Sequence, residues 1–165
     1  MTSPAPLDGD QLAAYFALME VSSLLRHAVE QQLRSEGGLS YVQFEIVARL
    51  SYAPGGQLRM TDLADSIVFS RSGLTYQAGQ LEAAGLVVRS RSTDDERSTT
   101  VTLTEAGRAL LLRVLPGHVQ VARDLLLDHL NQREVTVLAK VLGRVRDRLR
   151  AAPPRSAAPR SRHAP

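Results

Sequence analysis

Apolar positions recur at helical spacing along most of this chain and give way to alternation in one short region. Between Asp10 and about Ser35, Leu12, Tyr15, Phe16, Met19, Leu24 and Val29 predict a long helix that ends at Gly37-Gly38. Its apolar coverage is broader than one stripe, which predicts burial against more than one surface. Ser40 opens a second helix with Phe44, Val47, Ala48 and Leu50 inward; Ala53-Pro54-Gly55-Gly56 is a turn, and Gln57-Leu58-Arg59 is a short strand. A third helix, Thr61 to Ile67, has Thr61 as its cap, Asp62 at the positive end of its dipole, and Leu63, Ala64 and Ile67 on one face. Val68-Phe69 is a turn. Ser70 then caps a helix from Arg71 to about Ala84 that buries Leu74, Ala78 and Leu81, and Gly85 ends it.

The pattern then changes period. Leu86-Val87-Val88 reads as a strand from which Arg89 and Arg91 alternate outward, Ser92 to Arg97 is a polar tip, and Thr99 to Leu103 returns with Val101 and Leu103 inward. Thr104 caps a helix starting at Glu105. Pro116-Gly117 is expected to kink or break it before it resumes from His118 to about His129. Asn131 and Glu134 form a capping box for a last helix, in which Val135, Leu138, Leu142, Val145 and Leu149 step by three and four.

Short helix, turn, helix and hairpin in succession predict a mainly α fold with a small β-hairpin, a winged helix-turn-helix over residues 40–104. The Arg71–Ala84 helix presents Ser72, Tyr76, Gly79, Gln80 and Ala83, flanked by Arg71 and Thr75, opposite its buried face. Such small and hydrogen-bonding residues, nearly free of carboxylates, suit base edges, since glutamine can read adenine and arginine guanine. Taken alone, that face fits an ordinary solvated surface better. The DNA-facing candidates are Ser70, Arg71, Ser72, Thr75, Tyr76 and Gln80 on the helix, and Arg89, Arg91, Asp95 and Arg97 on the wing. Asp95 is there to pair with Arg97 and set its direction.

The segments Ser70-Arg71-Ser72-x-Leu74-Thr75, Leu81-Glu82-x-x-Gly85-Leu86-Val87-x-Arg89, Asp95-x-Arg97 and Val101-x-Leu103-Thr104-x-x-Gly107 resemble the core of the MarR family, the multiple-antibiotic-resistance regulators. The resemblance covers about residues 10 to 150. The chain departs from the family at Tyr76, where an arginine is common, and at Ala78-Gly79-Gln80-Leu81-Glu82, which replaces a V-D-R-L-E run, so the resemblance carries the fold but not the base specificity. The resemblance implies a DNA-binding homodimer controlled by a small, often aromatic or anionic molecule bound between the dimer helices and the DNA module. Tyr15, Met19, His27, Phe44 and Arg49 are the candidates for that cleft. Residues 10–36 and 105–150 are then dimerisation helices, with Leu12, Phe16, Leu138, Leu142, Val145 and Leu149 at the interface. A domain this small has little else for its terminal helices to pack on.

Composition limits the alternatives. The 165 residues suit one domain, and no apolar run is long enough to span a bilayer. The first ten residues lack the basic and apolar segments of a secretion signal, so a cytoplasmic location is expected. The absence of cysteine excludes disulfides and thiolate sites. The net charge of +3 comes from Arg155, Arg160 and Arg162 of a Pro/Ala/Arg-rich tail expected, like residues 1–9, to be disordered; residues 1–150 are neutral, so DNA affinity must come from local charge placement. There is one lysine, Lys140, against nineteen arginines, which fits genomic base composition. The four histidines are scattered, which predicts no metal site, and no catalytic motif or cofactor signature is present. The leading reading is a sequence-specific DNA-binding repressor responsive to an effector. The alternative is a winged-helix protein-interaction module without DNA binding.

Overall fold

A computed structural model describes residues 5–91 and 98–151. The hairpin tip with Asp95 and Arg97, and the arginine-bearing tail, lie outside the described residues. Among the described residues, six α-helices and three strands follow the order α1 (Gly9–Gly37), α2 (Tyr41–Tyr52), β1 (Gln57–Arg59), α3 (Met60–Ser66), α4 (Arg71–Ala83), β2 (Val87–Arg91), β3 (Thr99–Leu103), α5 (Glu105–Leu125) and α6 (Gln132–Arg150). No helix among the described residues is long and apolar enough to cross a membrane.

Local chemistry sets the helix starts. Asp8 with Gln11, Ser40 with Gln43 and Asn131 with Glu134 each form a reciprocal capping box, and Ser70 and Thr104 cap α4 and α5 through Gly73 N and Gly107 N. The box at Asp8 starts α1 at Gly9, so the expected disorder through residue 9 does not extend to Asp8 and Gly9. Thr61 is not a cap: α3 begins one residue earlier, at Met60, directly out of β1, with Arg59 as the capping position and no side-chain cap bond. Pairing of β1 with β3 fixes Gln57 to Arg59 as extended chain and leaves no room for a longer lead-in.

The sheet is antiparallel in the order β1-β3-β2, with Leu58 opposite Val101 and Val87 opposite Leu103. Leu33 of α1, Ile46, Val47 and Leu50 of α2, Leu63, Ile67, Leu74, Leu81, Val87, Val101 and Val114 are all but inaccessible and form one core. Ile46 belongs to the core although the α2 spacing did not mark it. Val88 does not: it is half exposed, because alternation puts Val87, Arg89 and Arg91 on one face of β2 and Val88 on the other.

Proline does not break α5. The helix runs through Pro116 without interruption. An interior proline forfeits one helical hydrogen bond, but the surrounding stretch is held against α1. The buried Gln32 donates from Nε2 to the Val114 carbonyl at 3.0 Å and to Glu36 Oε2 at 2.8 Å, and Gly117 lies so close to these side chains that a Cβ there would collide with the Glu36 carboxylate. Past Leu125 the chain makes a short 3-10 turn, Leu127–His129, in place of the predicted helix through His129.

The first half of α1 and all of α6 do not join this core. Of the apolar residues that predicted α1, only Val29 is buried; Leu12, Tyr15, Phe16, Met19 and Leu24 face solvent. α6 buries no residue at all, and its stripe of Leu142, Val145 and Leu149 is open.

Candidate nucleic-acid interface

α4 is positioned by Leu74, Ala78 and Leu81, which are fully buried, so the helix cannot rotate without exposing its core face. The opposite side therefore points outward as a unit: Ser70, Arg71, Ser72, Thr75, Tyr76 and Gln80 are all exposed. The structure thus brings together all six helix candidates. The first turn holds no acidic residue, leaving its unpaired N–H groups and the Arg71 guanidinium as a positively polarised end. Ser70 Oγ accepts from Gly73 N at 3.2 Å, and Thr75 Oγ1 donates to the Arg71 carbonyl at 3.0 Å. Thr75 can still accept, and Tyr76 is 62% exposed on the same face.

The strand side is anchored to the end of α4. Gly85, at φ +72°, turns the chain back, and Thr104 ties down the turn: its Oγ1 donates to the Gly85 carbonyl at 2.8 Å and its N–H to the Leu86 carbonyl at 3.1 Å. Gly107 lets α5 start against this turn, since a Cβ there would run into the Leu86 carbonyl oxygen. The Leu103-Thr104-x-x-Gly107 segment is thus a bracket that holds the hairpin on the helix-turn-helix.

The wing candidates separate. Arg91 is exposed at the free end of β2. Arg89 does not alternate out of the strand as expected. It lies on the inward face behind Val87 and is held by Glu82 of α4, with Nη2 at 2.7 Å and Nε at 2.8 Å from Oε2. The hydrogen bonds from Arg89 hold the Glu82 carboxyl below its ordinary pKa. Sequence reading did not pair Glu82 with Arg89 because it treated the outward face of that helix as nearly carboxylate-free. The usable signal was the seven-residue spacing to Arg89 across a glycine turn.

The five residues expected to line an effector cleft differ in burial within one chain. Phe44 is core, with its ring centroid 4.7 Å from that of His118; Tyr15 and Met19 lie on the open half of α1, Tyr15 edge-on to Phe16 at 5.4 Å; His27 and Arg49 are exposed. Arg49 belongs to another group. Burial raises the pKa of Glu45, against the opposing influence of Arg49, Arg26 and Arg150, and burial followed by Glu45 raises that of Tyr41, whose ring lies 5.4 Å beneath the Arg26 guanidinium. Arg150, the last residue of α6, donates to the Ser66 carbonyl at the end of α3 at 3.2 Å. This group links α1, α2 and α6 to the helix-turn-helix. His118 is the polar residue the sequence reading passed over here: burial lowers its pKa, and its Nδ1 and Gln32 Oε1 are buried without a hydrogen-bond partner among the described residues. Among the described residues no cluster of three or more potential metal ligands occurs.

Similarity to known proteins agrees with this geometry. Residues 39–99 match the MarR family. The regulator PecS of Dickeya dadantii is 32% identical over 145 residues, covering 87% of this chain and 86% of that protein, and the repressor YetL of Bacillus subtilis is 28% identical over 145 residues, covering 88% and 86%. Sco3205 of Streptomyces coelicolor, a MarR family transcriptional regulator solved in complex with DNA, superposes with a TM-score of 0.84 at 28% identity, covering 89% of this chain and 92% of that one. With its helix-turn-helix, its hairpin and its residue pattern all accounted for, the chain belongs to the MarR family of transcriptional regulators.

Proposed function

We propose that this regulator is a homodimeric repressor that binds a pseudo-palindromic duplex through α4 and the wing and is released from it by a small-molecule effector. The observation that carries the DNA reading is the exposed α4 face, which carries Ser70, Arg71, Ser72, Thr75, Tyr76 and Gln80 behind an acid-free helix start, with Arg91 exposed at the end of β2. The likeness to YetL, a repressor, and to Sco3205, crystallised with DNA, supports it. In this reading residues 40–104 form the DNA-binding module, and residues 10–36 and 105–150 supply the dimer helices. The open apolar faces of α1 and α6 support dimerisation, with Leu12, Phe16, Leu138, Leu142, Val145 and Leu149 covered by the second chain. Two-fold symmetry then sets the two α4 helices in successive major grooves, roughly 10 bp apart. Phosphate contacts from Arg91 and Arg97, with Asp95 orienting Arg97, position the wing, while Arg71 and Gln80 read bases.

An effector acts here by favouring a dimer conformation in which the α4 helices are wrongly spaced. Tyr15, Met19, His27 and Arg49 are exposed in one chain, so a site built from them is completed by the dimer; Phe44, in the core, contributes by repacking. The test is fluorescence anisotropy against duplexes from the gene's own upstream region across a salt series. Salt-sensitive, sequence-selective binding, weakened by Arg71→Ala and Gln80→Ala, is expected. Unchanged affinity and preference in both variants would refute the α4 assignment. Absence of salt-sensitive DNA binding would favour a protein-interaction module, for which the neutral charge of residues 1–150 is the supporting observation.

A further inference from the structure

The Glu82–Arg89 pair joins the two elements that the DNA reading requires to act together. Glu82 lies in the last turn of α4 and Arg89 in the middle of β2. Both carboxylate oxygens are used: Oε2 takes the guanidinium, and Oε1 accepts the Arg89 backbone N–H at 2.9 Å. β2 is an edge of the sheet, so that N–H would otherwise lack a partner. The guanidinium runs over Gly79, where a Cβ would sit 3.8 Å from Nη2 and 4.0 Å from Nη1. Arg89 is therefore held to the recognition helix by a side-chain ion pair, by the main chain and by packing over a glycine.

We propose that this pair is a positioning clamp that holds β2 against α4, so that Arg91 and the α4 face meet one duplex in a fixed relation. Arg89 is then not itself a phosphate contact. The inference rests on the DNA-binding reading above. The pair lies outside the core, with both side chains about one-third exposed. The fold is held by Leu81, Val87 and Val101 beneath it, so the pair adds little to stability. Its geometric effect is larger. Arg91 is two residues further along the same strand face, about 7 Å on, in a strand that among the described residues pairs with β3 on one side only.

Two explanations of Glu82 predict opposite signs. If its carboxylate were only a negative charge near DNA, removing it would tighten binding and free Arg89 for a phosphate. If it is a clamp, removal weakens binding. The experiment compares the full-length chain with Glu82→Ala, Glu82→Gln, Arg89→Ala and the Glu82→Ala/Arg89→Ala double variant, on a duplex selected from a random library by the unaltered protein. Affinity should fall about tenfold in Glu82→Ala and in Arg89→Ala and no further in the double variant, the signature of one coupled unit. Glu82→Gln, which keeps an acceptor for the Arg89 N–H, should fall less. Hydroxyl-radical footprints should lose the minor-groove protection flanking each half-site while major-groove methylation interference persists. In the free protein, amide exchange at Arg89 should quicken in Glu82→Ala with the melting temperature nearly unchanged.

Equal or tighter binding by Glu82→Ala would overturn the proposal, as would a loss of affinity that merely tracks a lowered melting temperature or erases both groove signals together. If the unaltered chain selects no duplex, the DNA-binding reading fails and the positioning role fails with it. The Arg89 exchange rate would then still show whether the contact itself is maintained in solution.

Discussion

Replacing Gly107 by alanine sets two opposed effects against each other in the first turn of α5. Helix propensity favours alanine by up to ~1 kcal/mol. Sterics oppose it. The added Cβ would be driven into the Leu86 carbonyl oxygen and would lie 2.6 Å from Leu103 Cδ1. The leucine methyl can rotate away, but the carbonyl cannot. It accepts the Thr104 N–H at 3.1 Å, while Thr104 Oγ1 holds the neighbouring Gly85 carbonyl at 2.8 Å. α5 must therefore back away from the turn. Overpacking of this kind costs about 1–3 kcal/mol, and loosening the two hydrogen bonds adds about 1 kcal/mol each. With the propensity gain subtracted, Gly107→Ala should destabilise the protein by about 2–4 kcal/mol. Urea denaturation followed by far-UV circular dichroism measures this, at several protein concentrations so that dimer dissociation is accounted for. A variant as stable as the parent, or more so, would show that the bracket between hairpin and α5 yields easily, and the account of the Leu103-Thr104-x-x-Gly107 segment would be wrong.

Leu142→Glu should abolish the dimer and leave the helical signal of the single chain nearly intact, because α6 buries nothing within it; sedimentation velocity and circular dichroism report the two quantities separately. DNA affinity should drop with the dimer, as each half-site then binds alone. Burial holds the His118 pKa below its ordinary value, so the unfolded chain takes up the proton first as pH falls. The stability His118 contributes is intact above about pH 6.5 and is lost progressively below it. A His118→Gln variant should flatten that part of the stability profile, and an unaltered slope would exclude His118 as its source. Truncation after Arg150 should keep both the dimer and its sequence preference while lowering the salt slope of DNA binding by up to about 3, through the loss of Arg155, Arg160 and Arg162. Loss of the dimer would instead make the tail structural.

Local signals were the legible ones. Ser70, Thr104 and Asn131 announce helix starts through hydrogen bonds that span three residues, and Leu74, Ala78 and Leu81 mark a buried face by their spacing alone. The direction of the α4 face toward solvent follows from that same spacing. Misreadings arose where a distant contact overrode a local rule. Pro116 should interrupt α5 by its lost N–H, yet packing against Gln32 and Glu36 of α1 accompanies an unbroken helix. Thr61 has a cap's chemistry, but β1 delivers the chain into α3 one residue too early for it to act.

Arg89 draws the boundary most clearly. The sequence alone predicted a winged helix-turn-helix, the outward face of α4 and the arginines of its hairpin, because periodicity and capping are properties of neighbouring residues. It could not tell which arginine is spoken for. Arg89 and Arg91 have the same chemistry two positions apart, and alternation alone assigns them to one strand face without saying what that face meets. Only the fold of β2 back along α4 brings Glu82 to Arg89 and leaves Arg91 open. Likewise, the apolar stripes of α1 and α6 are plain in the sequence, but that they remain uncovered in a single chain depends on where the core closes. Charge pairing and burial depend on distances in space, which spacing along the chain does not contain.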